Sequence, residues 1–235
     1  MTSVIDVNAD VGEGFGDDDK LLGLVSSANV ACGFHAGGPS VMRHTCAAAQ
    51  ERGVAIGAHV GYADRAGFGR REIGLTNEEI FDAVVVQVGA LAACAASVGG
   101  ELAHVKPHGA LYHRAAAEPG AAAAVIGAML AVDERLAILG PPRSALEQEA
   151  ARRSCRMIRE GFADRAYREG HRLVPRSQPS SVLDAASAAE QALSIARRGS
   201  VQSICIHGDS PEAVATARAV VEGLAGAGVT VRSFA

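Results

Sequence analysis

Tryptophan is absent from the 235 residues, aromatic residues make up 4%, and only two lysines occur, Lys20 and Lys106. Single-stranded nucleic acid therefore finds no stacking platform. With a net charge of −4 there is no broad cationic face for a duplex either, and no nucleic-acid partner is expected. The five cysteines, Cys32, Cys46, Cys94, Cys155 and Cys205, lie far apart without a C-x-x-C pair, which argues against a zinc ribbon or a disulfide framework. Apolar stretches are broken by glycine, charge or turn residues before the roughly 18 positions that a membrane span needs. No transmembrane helix is expected. The start, MTSVIDVNAD, carries Asp6 and Asp10 where a secretory signal needs basic residues and an apolar run, so a cytoplasmic chain is expected. Also missing are G-x-x-x-x-G-K-[ST], G-x-S-x-G and H-E-x-x-H, and with them a P-loop, a serine nucleophile elbow and a zincin site.

What is present is a regular alternation. Short β-branched runs near 4–8, 28–33, 54–58, 102–106, 136–140, 155–160, 202–207 and 229–234 alternate with alanine-rich segments of helical period at 39–52, 77–98, 121–133, 143–152, 181–198 and 211–226. This is the pattern of βα units around a parallel sheet. Thr76 and Glu79 form a capping-box pair for the second helix; Ser210 and Pro211 supply an N-cap and a first-turn proline for the last. The fold class expected is α/β, a closed or slightly irregular TIM-like (β/α) barrel of eight strands forming one domain over 1–235. An open doubly wound sheet would give a similar pattern.

The strand exits favour the barrel. They read DVNADVGEG, ACGFHAGG, GAHVGYAD, VKPHGALY, IREGFADR and CIHGDSPE, and in a parallel barrel such ends converge on the face where active sites are built. Asp6, Asn8 and Asp10 alternate on one side of the first strand; they either pin loops or serve a site. Asp10 and Glu13 together are candidates for a general base or for holding a metal. His35 and His59 each follow a strand, and Lys106 and His108 share a face across Pro107. A buried lysine needs a partner, and developing negative charge on a substrate would provide one. Later in the chain come Glu160, then Arg176 and Gln178 in LVPRSQP, then His207 and Asp209. Arg176 suits a carboxylate or phosphate clamp or a surface ion pair; Asp209 suits the site or a helix cap. Arg70 sits in the glycine-flanked loop GFGRRE, either a flap bringing cations to an anion or a solvated loop.

Taken together, DVNADVGEGFG, NVACGFHAGGP, GAHVGYADRAGFGRRE, VKPHGALYH, FADRAYREGHRLVPRSQP and ICIHGD closely resemble the LamB/YcsF family, in order and across nearly the whole chain. The resemblance implies a barrel of the glycoside hydrolase/deacetylase type. It further implies ATP-dependent opening of 5-oxo-L-proline to L-glutamate with two partner subunits, ATP being a co-substrate of the complex. In that setting Asp10 or His59 would activate water, Lys106 and His108 would stabilise an oxyanion or phosphate, and Arg176 would hold the substrate carboxylate; Asp6, Asn8, Glu13, His35, Arg70, Glu160, Gln178, His207 and Asp209 would complete the substrate site. The alternative keeps the barrel and binds a divalent metal through Asp10, His35 and His59, giving an amide hydrolase or deacetylase acting on a sugar-like substrate.

Overall fold

Along the first strand the side chains divide into two rows of opposite chemistry. In the computed structural model, which describes residues 4–15, 17–168 and 172–235, β1 (Val4–Val11) turns Ile5, Val7, Ala9 and Val11 toward the main apolar core and Asp6, Asn8 and Asp10 toward polar partners on other strands. Gly16 and residues 169–171, parts of two of the motifs quoted above, lie outside the described residues.

The parallel strands β2 (Ser27–Ala31), β3 (Ala55–Val60), β4 (Leu102–Pro107), β5 (Ala137–Gly140), β6 (Met157–Phe162) and β9 (Ser203–Ile206) follow β1 in that spatial order. β9 pairs with both β6 and β1, which closes a seven-stranded barrel. The expected eighth strand is a correction: β10 (Thr230–Val231) pairs only with Val4 and Ile5. From Asp6 to Ala9 the same edge of β1 is already occupied by β9, so the last strand can only append itself below the closure.

Around the barrel run α1 (Asp18–Leu22), α2 (Pro39–Glu51), α3 (Asn77–Ala96), α4 (Gly109–Ala117), α5 (Pro119–Val132), α6 (Ala145–Arg152), α7 (Ala185–Arg198) and α8 (Ala213–Gly226); a hairpin of β7 (Tyr167–Arg168) and β8 (Arg172–Leu173) projects beyond β6. The helix expected at 121–133 is α5, and the segment before it forms a further helix, α4, that the sequence pattern did not show. Pro119 disfavours helical backbone at Glu118, which ends α4 in an extended conformation and opens α5. The Thr76–Glu79 capping box is formed. The expected Ser210 cap is not, because α8 begins only at Ala213. Ser210 closes the preceding turn instead: its Oγ accepts from the Glu212 N–H at 3.2 Å and its carbonyl from the Ala213 N–H at 3.0 Å.

One helix bears on the expectation of no membrane span. Among the described residues α3 is long and apolar enough, by length and composition, to cross a membrane. Its apolarity has a use in the fold, since Ile80, Val84, Val88 and Leu91 are buried where the helix packs on α5 and the neighbouring strands.

Candidate active site

The deepest layer of the barrel interior belongs to Asp6. Its carboxylate accepts a hydrogen bond from Ser26 Oγ at 2.6 Å and others from the hydroxyls of Ser27 and Ser203. Burial raises its pKa, against the lowering effect of these hydroxyls. One layer up, the Asn8 amide donates to Ser203 Oγ at 2.7 Å while its oxygen accepts from Asn29 Nδ2 at 2.6 Å. His104 donates to Asn29 Oδ1 at 2.8 Å. These groups hold one another beneath the pocket rather than lining it. Asp6→Asn is therefore expected to lower stability by about 1–3 kcal/mol through mispaired hydroxyls and to leave KM unchanged; denaturant melts beside steady-state kinetics read both, and a raised KM at wild-type stability would return Asp6 to the substrate.

Lys106 stands above this network with its side chain 2% exposed. Nζ donates to Asp10 Oδ1 at 3.1 Å, Asn8 Oδ1 at 3.2 Å and Cys205 Sγ at 2.9 Å, and lies 3.2 Å from Glu160 Oε2. Burial opposes the ammonium, but the charges of Asp10 and Glu160 outweigh it and hold the pKa well above that of ordinary lysine. Asp10 moves the other way: burial would raise it, and His59 and Lys106 bring it well below the usual carboxylate range. The site thus carries a buried, ionised Lys106–Asp10 pair.

Beside the pair four side chains converge. Glu13 Oε1 lies 3.4 Å from His35 Nε2, 3.7 Å from His59 Nε2 and 3.5 Å from His108 Nδ1. The His35 and His108 rings stack with centroids 3.9 Å apart. Burial lowers the His35 pKa to about 3 and holds His108 well below its ordinary value, while burial and the Asp10 charge push Glu13 well above the carboxylate range. Of the residues offered for a metal in the sequence, His35 and His59 lie in this group. Glu13 rather than Asp10 joins the histidines, because Asp10 Oδ1 is engaged by Lys106 and by Asn29 Nδ2 at 2.9 Å. The loop GFGRRE is packed over this group: the Phe68 carbonyl accepts from His108 Nε2 at 2.8 Å, and the Phe68 ring meets His35 and His108 edge-on.

The mouth is a cavity of about 360 Å³ whose floor is Asp10, His59, Lys106 and His108. Its rim carries Arg70, Arg165, Arg176 and His207. Asp209, outside the lining, accepts from Arg70 at 2.5 Å and Arg176 at 3.1 Å, so two guanidiniums share one carboxylate and the rim stays cationic. His207 Nδ1 donates to Asp164 Oδ1 at 3.0 Å, and its ring stacks on Phe162 with Nε2 left for a ligand. Gln178 is a correction: it is exposed on the turn after Pro175 and away from the cavity. Glu160, itself outside the cavity lining, reaches the site through Lys106.

Known proteins resemble this chain over nearly its full length. The LamB/YcsF family model matches residues 5–235, and the A subunit of the 5-oxoprolinase of Nocardia farcinica is 49% identical over 247 residues, covering 98% of this chain and 99% of its own. The chain belongs to the LamB/YcsF family. A lactam utilization protein from Thermus thermophilus, known from its crystal structure, superposes with a TM-score of 0.92 at 41% identity, covering 98% of this chain and 100% of that one. A family 4 carbohydrate esterase from Streptomyces lividans shares the barrel, with a TM-score of 0.58 at 12% identity over 99% and 93% of the two chains.

In this LamB/YcsF chain several site residues escaped the sequence reading. His104 continues the face of Lys106 and His108 two residues earlier, and Cys205 stands in the same relation to His207; strand alternation alone would have found both. Asp164, Arg165 and Tyr112 carry no such signal. They reach the site from the turn after β6 and from α4, whose positions depend on tertiary packing.

Proposed function

We propose that this chain is the lactam-opening component of a multi-subunit 5-oxoprolinase, converting 5-oxo-L-proline to L-glutamate with hydrolysis of ATP to ADP and phosphate alongside two partner subunits. The observation that carries this reading is the ionised Lys106–Asp10 pair on the floor of a small cavity beneath a cationic rim. The names of its relatives, a 5-oxoprolinase component and a lactam utilization protein, support it.

Opening an unstrained lactam is uphill, and transfer of the ATP γ-phosphoryl group to the lactam oxygen makes the ring carbon electrophilic. Water then adds to that carbon with its proton passing to Asp10, and the ring nitrogen leaves with a proton to give an acyl phosphate. A second water releases phosphate and completes L-glutamate. Lys106, a buried cation, faces the negative charge that develops on oxygen. Arg176 and Arg70 meet the substrate carboxylate as it displaces part of their contact with Asp209.

The test is glutamate release from 5-oxo-L-proline by the chain together with its partner subunits, with and without ATP. ATP-dependent glutamate that vanishes when this chain is omitted is the expected result. With Arg176→Ala, KM for 5-oxoproline is expected to rise about tenfold or more while kcat changes less, as loss of a charge-assisted contact made in both ground and transition states requires. No glutamate in any combination of folded subunits would favour ATP-independent amide hydrolysis instead.

A further inference from the structure

Expelling a ring nitrogen needs a proton donor, because an amide anion is a far poorer leaving group than an amine. Most groups on the cavity wall have no proton to give. The carbonyls of Lys106 and Phe68 lie 3.1 Å from His59 Nδ1 and 2.8 Å from His108 Nε2; a carbonyl only accepts, so those N–H groups are already engaged. Lys106 gives its own to Asp10, Asn8 and Cys205, and the rim arginines do not deprotonate in proteins. Tyr112 and His113 also line the cavity. Burial raises the Tyr112 pKa well above that of an ordinary phenol and, with the charge of Arg165, lowers that of His113. The first is thereby a weak acid and the second a neutral imidazole.

His207 is placed differently. It follows β9 directly, and Asp164, from the turn after β6, grips it twice: Oδ2 accepts from the His207 backbone N–H at 3.0 Å and Oδ1 from its Nδ1 at 3.0 Å. Asp164 is buried. The His207 ring lies at 16° to that of Phe162 with centroids 5.2 Å apart. A carboxylate on one imidazole nitrogen holds the ring in one orientation and compensates the charge of its imidazolium form, so Nε2 is the atom His207 presents to the cavity. A ring nitrogen of His207 also lies within 4.8 Å of an Asp10 carboxylate oxygen. Water attacks and nitrogen leaves at one carbon. The base and the acid that serve them must stand close together, each within about 2.6–3.2 Å of its own atom.

We infer that His207 is the general acid that protonates the departing ring nitrogen, with Asp164 as its positioning residue, an assignment that rests on the lactam-opening reading of the site. The O-phosphorylated lactam keeps its N–H. After water has added and given one proton to Asp10, the C–N bond breaks with its electron pair going to nitrogen, which takes the Nε2 proton of the His207 imidazolium. The carbonyl of the acyl phosphate forms as the remaining hydroxyl proton returns to His207. The freed amine takes the Asp10 proton and becomes the ammonium group of glutamate. Both side chains are thus restored, and both protons of the water end on nitrogen.

The test measures glutamate release by the assembled enzyme carrying His207→Gln, Asp164→Asn or both, beside thermal melts of each chain. Glutamine keeps a hydrogen-bond donor but cannot transfer its proton. With His207→Gln, kcat is expected to fall about 10²–10⁴-fold with KM for 5-oxoproline little changed. Asp164→Asn is expected to lower kcat about tenfold or more, and the double variant to be no slower than His207→Gln alone, because Asp164 acts through the imidazole. If His207→Gln fails to fold, His207→Asn supplies the same comparison. Unchanged kcat in a folded His207 variant, a raised KM without loss of kcat, or the same loss from His113→Gln with His207→Gln active would overturn the assignment; additive losses in the double variant would remove Asp164 from it. The wild-type complex separates the two levels. No glutamate from it refutes lactam opening itself, whereas wild-type turnover equalled by His207→Gln refutes only the acid.

Discussion

Lys106→Met is expected to abolish glutamate formation by the assembled enzyme and to destabilise the chain together. Methionine keeps the length and apolar stem, so little volume is lost. What disappears is the charge between Asp10 at 3.1 Å and Glu160 at 3.2 Å. Removing one member of a buried ion pair leaves the others uncompensated, at a cost of about 3–5 kcal/mol, and in a chain of this size Tm should fall on the order of 10 °C. The double variant Lys106→Met, Glu160→Gln separates the two consequences. Neutralising the second carboxylate should restore part of the stability and none of the turnover. Thermal melts and glutamate release read the two quantities independently. If the double variant regained activity along with stability, Lys106 would be a structural cation and its role in the chemistry would be lost.

The residues that proved legible in the sequence share a physical reason. Asp6, Asn8, Asp10 and Lys106 sit on strands, where alternation places them on the inward face whatever the loops do. What alternation could not show was their depth: Asp6 and Asn8 are closed off by Ser26, Ser27, Ser203 and Asn29, and three of those partners are ordinary serines. The barrel was legible from its βα rhythm, but its closure was not. Eight apolar runs look alike, and only pairing shows that Ser203–Ile206 closes on β1 while Thr230–Val231 hangs from its first two residues. Gln178 misled because LVPRSQP reads as one binding loop, although a turn carries Arg176 inward and leaves Gln178 in solvent. Glu13 was named as a neighbour of Asp10. Its meeting with three histidines from three other strand exits is a fact of barrel convergence that spacing in one strand cannot contain.

Asp10→Asn should silence the chemistry with far less damage to the fold than Lys106→Met. Asparagine is isosteric, and its oxygen can still accept from Lys106 at 3.1 Å and Asn29 at 2.9 Å, while Lys106 keeps Glu160 as a counter-charge. Lost is the second carboxylate oxygen and with it the acceptor for the proton of attacking water. General-base contributions of this kind are about 10²–10⁴-fold, so kcat is expected to fall within that range with KM for 5-oxoproline little changed. The pH profile tests the assignment to Asp10, whose neighbour His59 lies 3.4 Å away. Asp10 is held well below the ordinary carboxylate range by His59 and Lys106 against its burial, so its working, deprotonated form persists as pH falls and is lost only below the range where ordinary carboxylates protonate. A wild-type acid limb in that region that disappears in Asp10→Asn assigns water activation to Asp10. An acid limb that survives the substitution with kcat intact would take water activation away from Asp10.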